Sequence, residues 1–438
     1  MSDTIIPLVV FALLCLSSLV AALRIFRDVF HPLCISSIFA FATIVGGALA
    51  SLPVILDPNQ NIIPFHSHIW IYCLGFLAFS FGCLFSGGRR ARKSIQNTKF
   101  NAEYRRRLIA FSASMAAISW LVYALQLAAG GGFLEVYSQV KGRGDLGSGV
   151  QDLIMVCVPA AVAYTYSRRG EPFSAKNFLI LILILGPLLI GGILSSRRGP
   201  TAMALGAIFF GFYMASGRRP SLASLIMAAA VGGFFVLFLV AYRSQIFIGS
   251  DIFSQLSFRD VFSAISEFIS EADEGHEFIY SSIVISNVQA QQDYWWGLRY
   301  MLANTIWLVP SIIFPNKYEF FGARSLYFNG GTLGMEPSEF GRIVGAAPML
   351  FADVYVEFGP FSFIFLFFLG TFLGRLWRNA VLSEGIYIII YVSTLSVMIY
   401  LFAQTFTAFS QRIIVMSLSS WLLWRLIVIR GVKFGSRH

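Results

Sequence analysis

Two groups of side chains in this 438-residue sequence have the chemistry of a site. The first is a set of arginines: Arg197 and Arg198 in the turn Ser195-Ser196-Arg197-Arg198-Gly199-Pro200, then Arg243 and Arg412. A guanidinium is planar, permanently charged and able to grip two phosphate oxygens at once, so converging arginines make an anion site. The second is a carboxylate pair, Asp353 and Glu357, within Phe351-Ala352-Asp353-Val354-Tyr355-Val356-Glu357-Phe358-Gly359. Four residues apart they share one helical face, and like charges so placed need a cation beside them or a retained proton. Either condition suits a group that moves protons. The plainer alternatives are arginines that snorkel to lipid phosphate or pair with acids. For the carboxylates the alternative is an ion pair with Arg342 or another loop base that docks the segment.

The elements that must carry these residues follow from composition. Hydrophobic residues make up 57% of the chain and charged residues 12%, so its main solvent is hydrocarbon. That excludes a soluble protein, and the net charge of +10 is read as membrane topology rather than as a nucleic-acid surface. A bilayer core of about 30 Å needs about 20 apolar helical residues. Eleven runs near that length lie at 4–23, 34–53, 67–86, 108–129, 151–167, 177–195, 201–216, 222–241, 349–373, 385–404 and 412–429. The first lacks the basic start of a signal peptide and is expected to be a span.

Bases resist translocation, so the segment 88–107, with Arg89, Arg90, Arg92, Lys93, Lys99, Arg105, Arg106 and Arg107 against Glu103, is expected in the cytoplasm. Alternation then puts the N-terminus outside, the C-terminus inside, and Arg197, Arg198, Arg243 and Arg412 on the outer face against the general bias. The expected organisation is spans one to eight over 1–241, an external segment over 242–348, and spans nine to eleven with a cytoplasmic tail over 349–438. The external segment holds eleven acidic residues against six bases, Arg243, Arg259, Arg299, Lys317, Arg324 and Arg342. Apolar spacing over 255–290 predicts an amphipathic helix on the membrane surface, and the proline-closed run 298–314 a partly inserted or re-entrant piece. Pro348 is expected in the first turn of the ninth span.

Other signals carry less. Gly142-Arg143-Gly144-Asp145-Leu146-Gly147 matches a dinucleotide-binding glycine pattern by letter but lies in a loop between spans, without the βαβ context that pattern needs. Gly370 and Gly374 have the spacing of close helix packing. His276, between Glu274 and Glu277, is read as a solvated histidine before a base. The rings of Tyr294-Trp295-Trp296 suit headgroup anchoring more than sugar stacking. The five cysteines have neither metal-site spacing nor a disulfide pattern.

At these residues the sequence resembles the Wzy-type O-antigen polymerases, the oligosaccharide repeat-unit polymerases of bacterial inner membranes. The resemblance rests on the Ser-Arg-Arg-Gly turn at 196–199, Arg243 opening a large external segment, the Gly-x-x-Tyr…Pro…Pro-x-Lys run at 297–317 and the stretch from Gly345 to Gly359. It covers roughly 195–375, and it departs where Ser311 follows Pro310. It implies an all-α polytopic fold of about eleven transmembrane helices, similar to GT-C-type glycosyltransferases and O-antigen ligases.

The implied activity transfers a growing glycan from undecaprenyl diphosphate to a new lipid-linked repeat unit at the periplasmic face, with no metal and no cofactor. Arg197, Arg198, Arg243 and Arg412 would hold the diphosphate. Arg299, Lys317, Arg324 and Arg342 would enclose the glycan, and Glu357 or Asp353 would be the base. Implied partners are the lipid-linked oligosaccharide, the bilayer, and a chain-length regulator and flippase of the same pathway. An O-antigen ligase, a polysaccharide transporter or flippase, and a structural subunit are the alternatives.

Overall fold

The computed structural model describes residues 2–51, 64–87, 102–138, 151–171, 174–194, 198–215, 220–242, 276–309, 347–383 and 385–429, with positions 217, 314 and 316. These residues are helical almost throughout, and no strand occurs among them. Among the described residues, six helices are long and apolar enough to cross a membrane: Ile5–Phe26, Pro32–Ala50, Phe65–Gly87, Ala102–Ala129, Leu350–Ser383 and Phe406–Val428. Each overlaps a run expected to span. A seventh crossing is counted if Ala175–Ile184 and Gly186–Leu194, bent by 68° at Leu185, are one broken span. Asp152–Ser167, Gly199–Ala215 and Ile386–Ser396 are shorter apolar helices, and Leu222–Ala241 is a 20-residue helix. The chain is thus a multi-pass membrane protein, helical almost throughout its described residues.

Two compact units cut across the chain order: 1–93, 272–382 and 398–411 in the first, and 94–271, 383–397 and 412–438 in the second. The first is centred on aromatic rings. Phe351 packs against Phe11, Tyr72, Phe76 and Phe402 with ring centroids 5.7–6.5 Å apart. The contact between its Phe65–Gly87 and Ser362–Ser383 helices needs glycine. A methyl group on Gly82 would collide with the carbonyl of Phe367, and one on Gly370 or Gly374 with the carbonyl of Phe79 or the hydroxyl of Ser86. The Gly370/Gly374 spacing therefore does bring two backbones into contact, as in small-residue membrane packing.

In the second unit the Ala102–Ala129 helix lies on Cys157–Ser167, whose residues are all buried. Ser112 Oγ donates to the carbonyl of Ala160 at 2.7 Å, and Ser119 Oγ to that of Ile154 at 2.6 Å. Hydroxyl-to-carbonyl bonds of this kind join helices where lipid offers no polar partner. At the bend, Trp120 Nε1 donates to the carbonyl of Leu183 at 3.0 Å, satisfying an acceptor near the break.

Six or seven qualifying helices among the described residues stand against the eleven expected spans, and two further details differ from the expected layout. Pro348 precedes the helix rather than opening it, because the first helical residue is Leu350 and Met349 is its extended cap. The expected 255–290 helix is described only from His276 to Gln291, and 255–275 lie outside the described residues.

Candidate functional site

The carboxylate pair lies on the Leu350–Phe358 helix, and both side chains are completely buried. Gly359, at φ +51 and followed by Pro360, ends that helix. The ring of Tyr294 occupies the space a side chain at 359 would need. The chain then restarts as Ser362–Ser383. A short segment of the first unit, 294–300, is stitched to this helix end. Trp295 N donates to Val356 O at 3.4 Å and Trp296 N to Glu357 O at 2.6 Å. Gly297, itself at φ +85, donates its N–H to Glu357 Oε2 at 2.9 Å. A backbone turned this way favours glycine at 297.

The turn delivers Arg299 between the two acids. Its Nε donates to Glu357 Oε1, and its Nη2 to Asp353 Oδ1. The same Nη2 reaches the Asp353 carbonyl at 3.2 Å. Asp353 Oδ2 accepts from the Tyr300 hydroxyl and from the backbone N–H of Phe406, each at 2.8 Å. Every carboxylate oxygen of the pair thus has a donor. Asn304 Nδ2 donates to Tyr300 O at 2.8 Å, and Ser410 Oγ to Asn304 Oδ1 at 3.1 Å. The Leu298–Leu308 helix is thereby held at 353–357 and at 406–410.

Two carboxylates and one guanidinium carry a net charge of −1 when all are ionised. Burial opposes the charge on Arg299, but Asp353, Tyr300 and Glu357 outweigh that and hold the guanidinium above its ordinary range. Burial and Asp353 push the Tyr300 phenol well above its ordinary range, so it serves as a donor. Chemically the arrangement is a clamp: a neutral phenol, an arginine and two backbone N–H groups share two carboxylates.

The cation required beside Asp353 and Glu357 is therefore Arg299, one of the external-segment bases that the docking alternative allowed, and Arg342 lies outside the described residues. Arg299 itself was expected on the glycan. Its signal was visible, since it is the only lysine or arginine between Arg259 and Lys317 and stands among apolar residues. Gly297 and Tyr300 are the first two fixed residues of the Gly-x-x-Tyr run at 297–317, but nothing in the sequence marked their bonds to the carboxylates or the N–H group of Phe406. Of the other expected site residues, Arg412 belongs to the second unit and is half-buried on the Phe406–Leu423 helix. Arg198 is the first residue of the Arg198–Phe210 helix, and its side chain lies outside the description. Arg197, Arg243, Lys317, Arg324 and Arg342 lie outside the described residues, as do Gly142–Gly147. His276 is the first residue of its helix.

Buried polar groups also meet near the start of the Phe65–Gly87 span. His68 Nε2 is 3.4 Å from Ser286 Oγ, and Gln289 Nε2 donates to the Tyr355 hydroxyl at 3.3 Å. Comparison with protein-family models, curated proteins and solved structures finds no match to this chain in any of the three.

Proposed function

We propose that this chain is an inner-membrane glycosyltransferase that polymerises lipid-linked oligosaccharide repeat units at the periplasmic face. Its fold would be GT-C-like with eleven crossings, N-terminus outside and C-terminus in the cytoplasm. The observation that supports this reading most is the junction of two distant stretches. The Gly297–Tyr300 turn and the Asp353–Glu357 helix belong to separate motifs of the resemblance, and they are bound to one another through Arg299. Charged groups buried at the start of an apolar span are costly and mark functional positions.

In the proposed reaction a hydroxyl of the acceptor repeat unit attacks the anomeric carbon of the donor glycan. The new C–O bond forms as the bond to undecaprenyl diphosphate breaks, and the hydroxyl proton passes to a base. Arg197, Arg198, Arg243 and Arg412 would stabilise the charge developing on the departing diphosphate. Lys317, Arg324 and Arg342 would enclose the glycan. Asp353 and Glu357 hold Arg299 in the described arrangement, and one of them, Glu357 by preference, becomes the base when the clamp opens. The partners would be the lipid-linked oligosaccharide, a chain-length regulator and a flippase.

The test is polymerisation by purified, reconstituted protein on a lipid-linked repeat unit with chelator present. Arg198→Ala and Arg243→Ala should abolish chain extension while protein level and membrane insertion stay unchanged. Normal polymer lengths in both variants reject the diphosphate role. A second reading, a transporter or flippase for the same lipid-linked glycan, is favoured by the broken helix at 175–194, since such breaks line substrate sites in transporters. It predicts movement of the repeat unit across proteoliposomes with no change in its length.

A further inference from the structure

The segment that carries Arg299 has a second face. On the Leu298–Leu308 helix, Tyr300, Ala303, Ile306 and Trp307 are buried, whereas Leu298 and Met301 are 45% and 60% exposed. Just before them Trp296 is 60% exposed, and it takes φ +53. A bulky residue takes that conformation only under strain. The Trp296 N–H bond to Glu357 O and the Gly297 bond to the Glu357 carboxylate hold it there. The indole ring then lies 6.0 Å from that of Phe361, itself exposed.

Phe361 is where an exposed apolar stripe begins. It continues through Ile364, Phe368 and Phe372 along the Ser362–Ser383 helix. Twenty-two residues of helix are about 33 Å long, close to the roughly 30 Å of a bilayer's hydrocarbon core. Arg375 and Arg378 are exposed toward its far end, as snorkelling cations at the opposite boundary would be. The stripe is the lipid-facing side of a span, and Trp296, Leu298 and Met301 extend it sideways at its outer limit. Indole is the ring best suited to that boundary, with an apolar body and one polar N–H.

We propose that Trp296, Leu298 and Met301, with Phe361, form a shelf seated in the headgroup–acyl boundary of the outer leaflet, so that the 298–308 helix is interfacial rather than re-entrant. The occupant of this surface is bulk phospholipid. Because Glu357 holds both Trp296 and Arg299, the shelf fixes the clamp at headgroup depth, and lifting it from the lipid would strain the clamp. The inference depends on the membrane character of the chain and not on the proposed reaction.

The five native cysteines are all buried, so an introduced surface cysteine can be labelled selectively. Full-length Leu298→Cys, Met301→Cys and, as a control at an exposed acid, Asp293→Cys would carry a nitroxide in phosphatidylethanolamine–phosphatidylglycerol nanodiscs. Collision rates with oxygen and with a water-soluble nickel chelate would then be compared. Oxygen should dominate at 298 and 301 and nickel at 293; nickel dominating at either 298 or 301 overturns the shelf. A second measurement, needing no cysteine, is quenching of tryptophan fluorescence by lipids brominated near the headgroup. Trp296→Phe should lose a quenched component that the native chain shows, and equal quenching in the two overturns the proposal.

Discussion

Arg299 and Arg105 each hold carboxylates, in settings that differ sharply. In the first unit the Arg299 side chain is 11% exposed and its two partners 0%. In the second, Arg105 and Arg168 share Glu171, and the three side chains are 28–31% exposed. Water can replace a partner in the second group, so such a pair is worth about 0–1 kcal/mol. It cannot in the first, where losing Arg299 leaves two carboxylates without a cation away from solvent. The same residue types thus make a near-neutral surface bridge in one place and an element the local fold depends on in the other.

The largest effect is expected at the buried trio. Arg299→Ala, which leaves Asp353 and Glu357 buried without their cation, should destabilise the protein by about 3–5 kcal/mol, read as a fall in the thermal midpoint of the purified protein. A loss below about 1 kcal/mol would erase the contrast and class Arg299 with the surface pairs. Replacing the trio together, Arg299→Met with Asp353→Leu and Glu357→Met, should recover most of that stability, because no lone charge remains. Under the proposed reaction the triple variant should still extend no glycan, and polymer formation by it would reduce the trio to a scaffold.

A contact without charge supplies the middle of the scale. Gly82→Ala drives a methyl into the Phe367 carbonyl and should cost about 1–3 kcal/mol through overpacking, measured in the same thermal assay. The smallest effect belongs to Glu171→Gln, expected within about 1 kcal/mol and shrinking as salt is raised. A larger, salt-independent loss there would show that Arg105, Arg168 and Glu171 are buried in the membrane-embedded protein.

Much of this was legible before any coordinates. Runs such as 67–86 and 108–129 mark spans because a helix in hydrocarbon needs a fixed length of apolar side chains, a property of local composition. Helix ends were less legible. The helix at 175–194 breaks at Leu185, where Gly186 accommodates the Trp120 ring, and a ring from another helix leaves no trace in the local pattern. At the site, the pairing of Asp353 with Glu357 and their need for a cation could be read from a spacing of four. Which cation answered could not, because Arg299 lies 54 residues from Asp353 and reaches it only through the turn at Trp296 and Gly297.

Sequence alone therefore determined the solvent of this protein, its helical class and the positions where charge would be expensive, since each depends on residues adjacent in the chain. Tertiary structure decided how that expense is met. The donors on Asp353 and Glu357 come from the 297–300 turn and from Phe406, two stretches far apart in sequence. A buried carboxylate is stabilised by whichever donors folding brings within hydrogen-bond reach, and that choice rests on through-space geometry that no local pattern encodes.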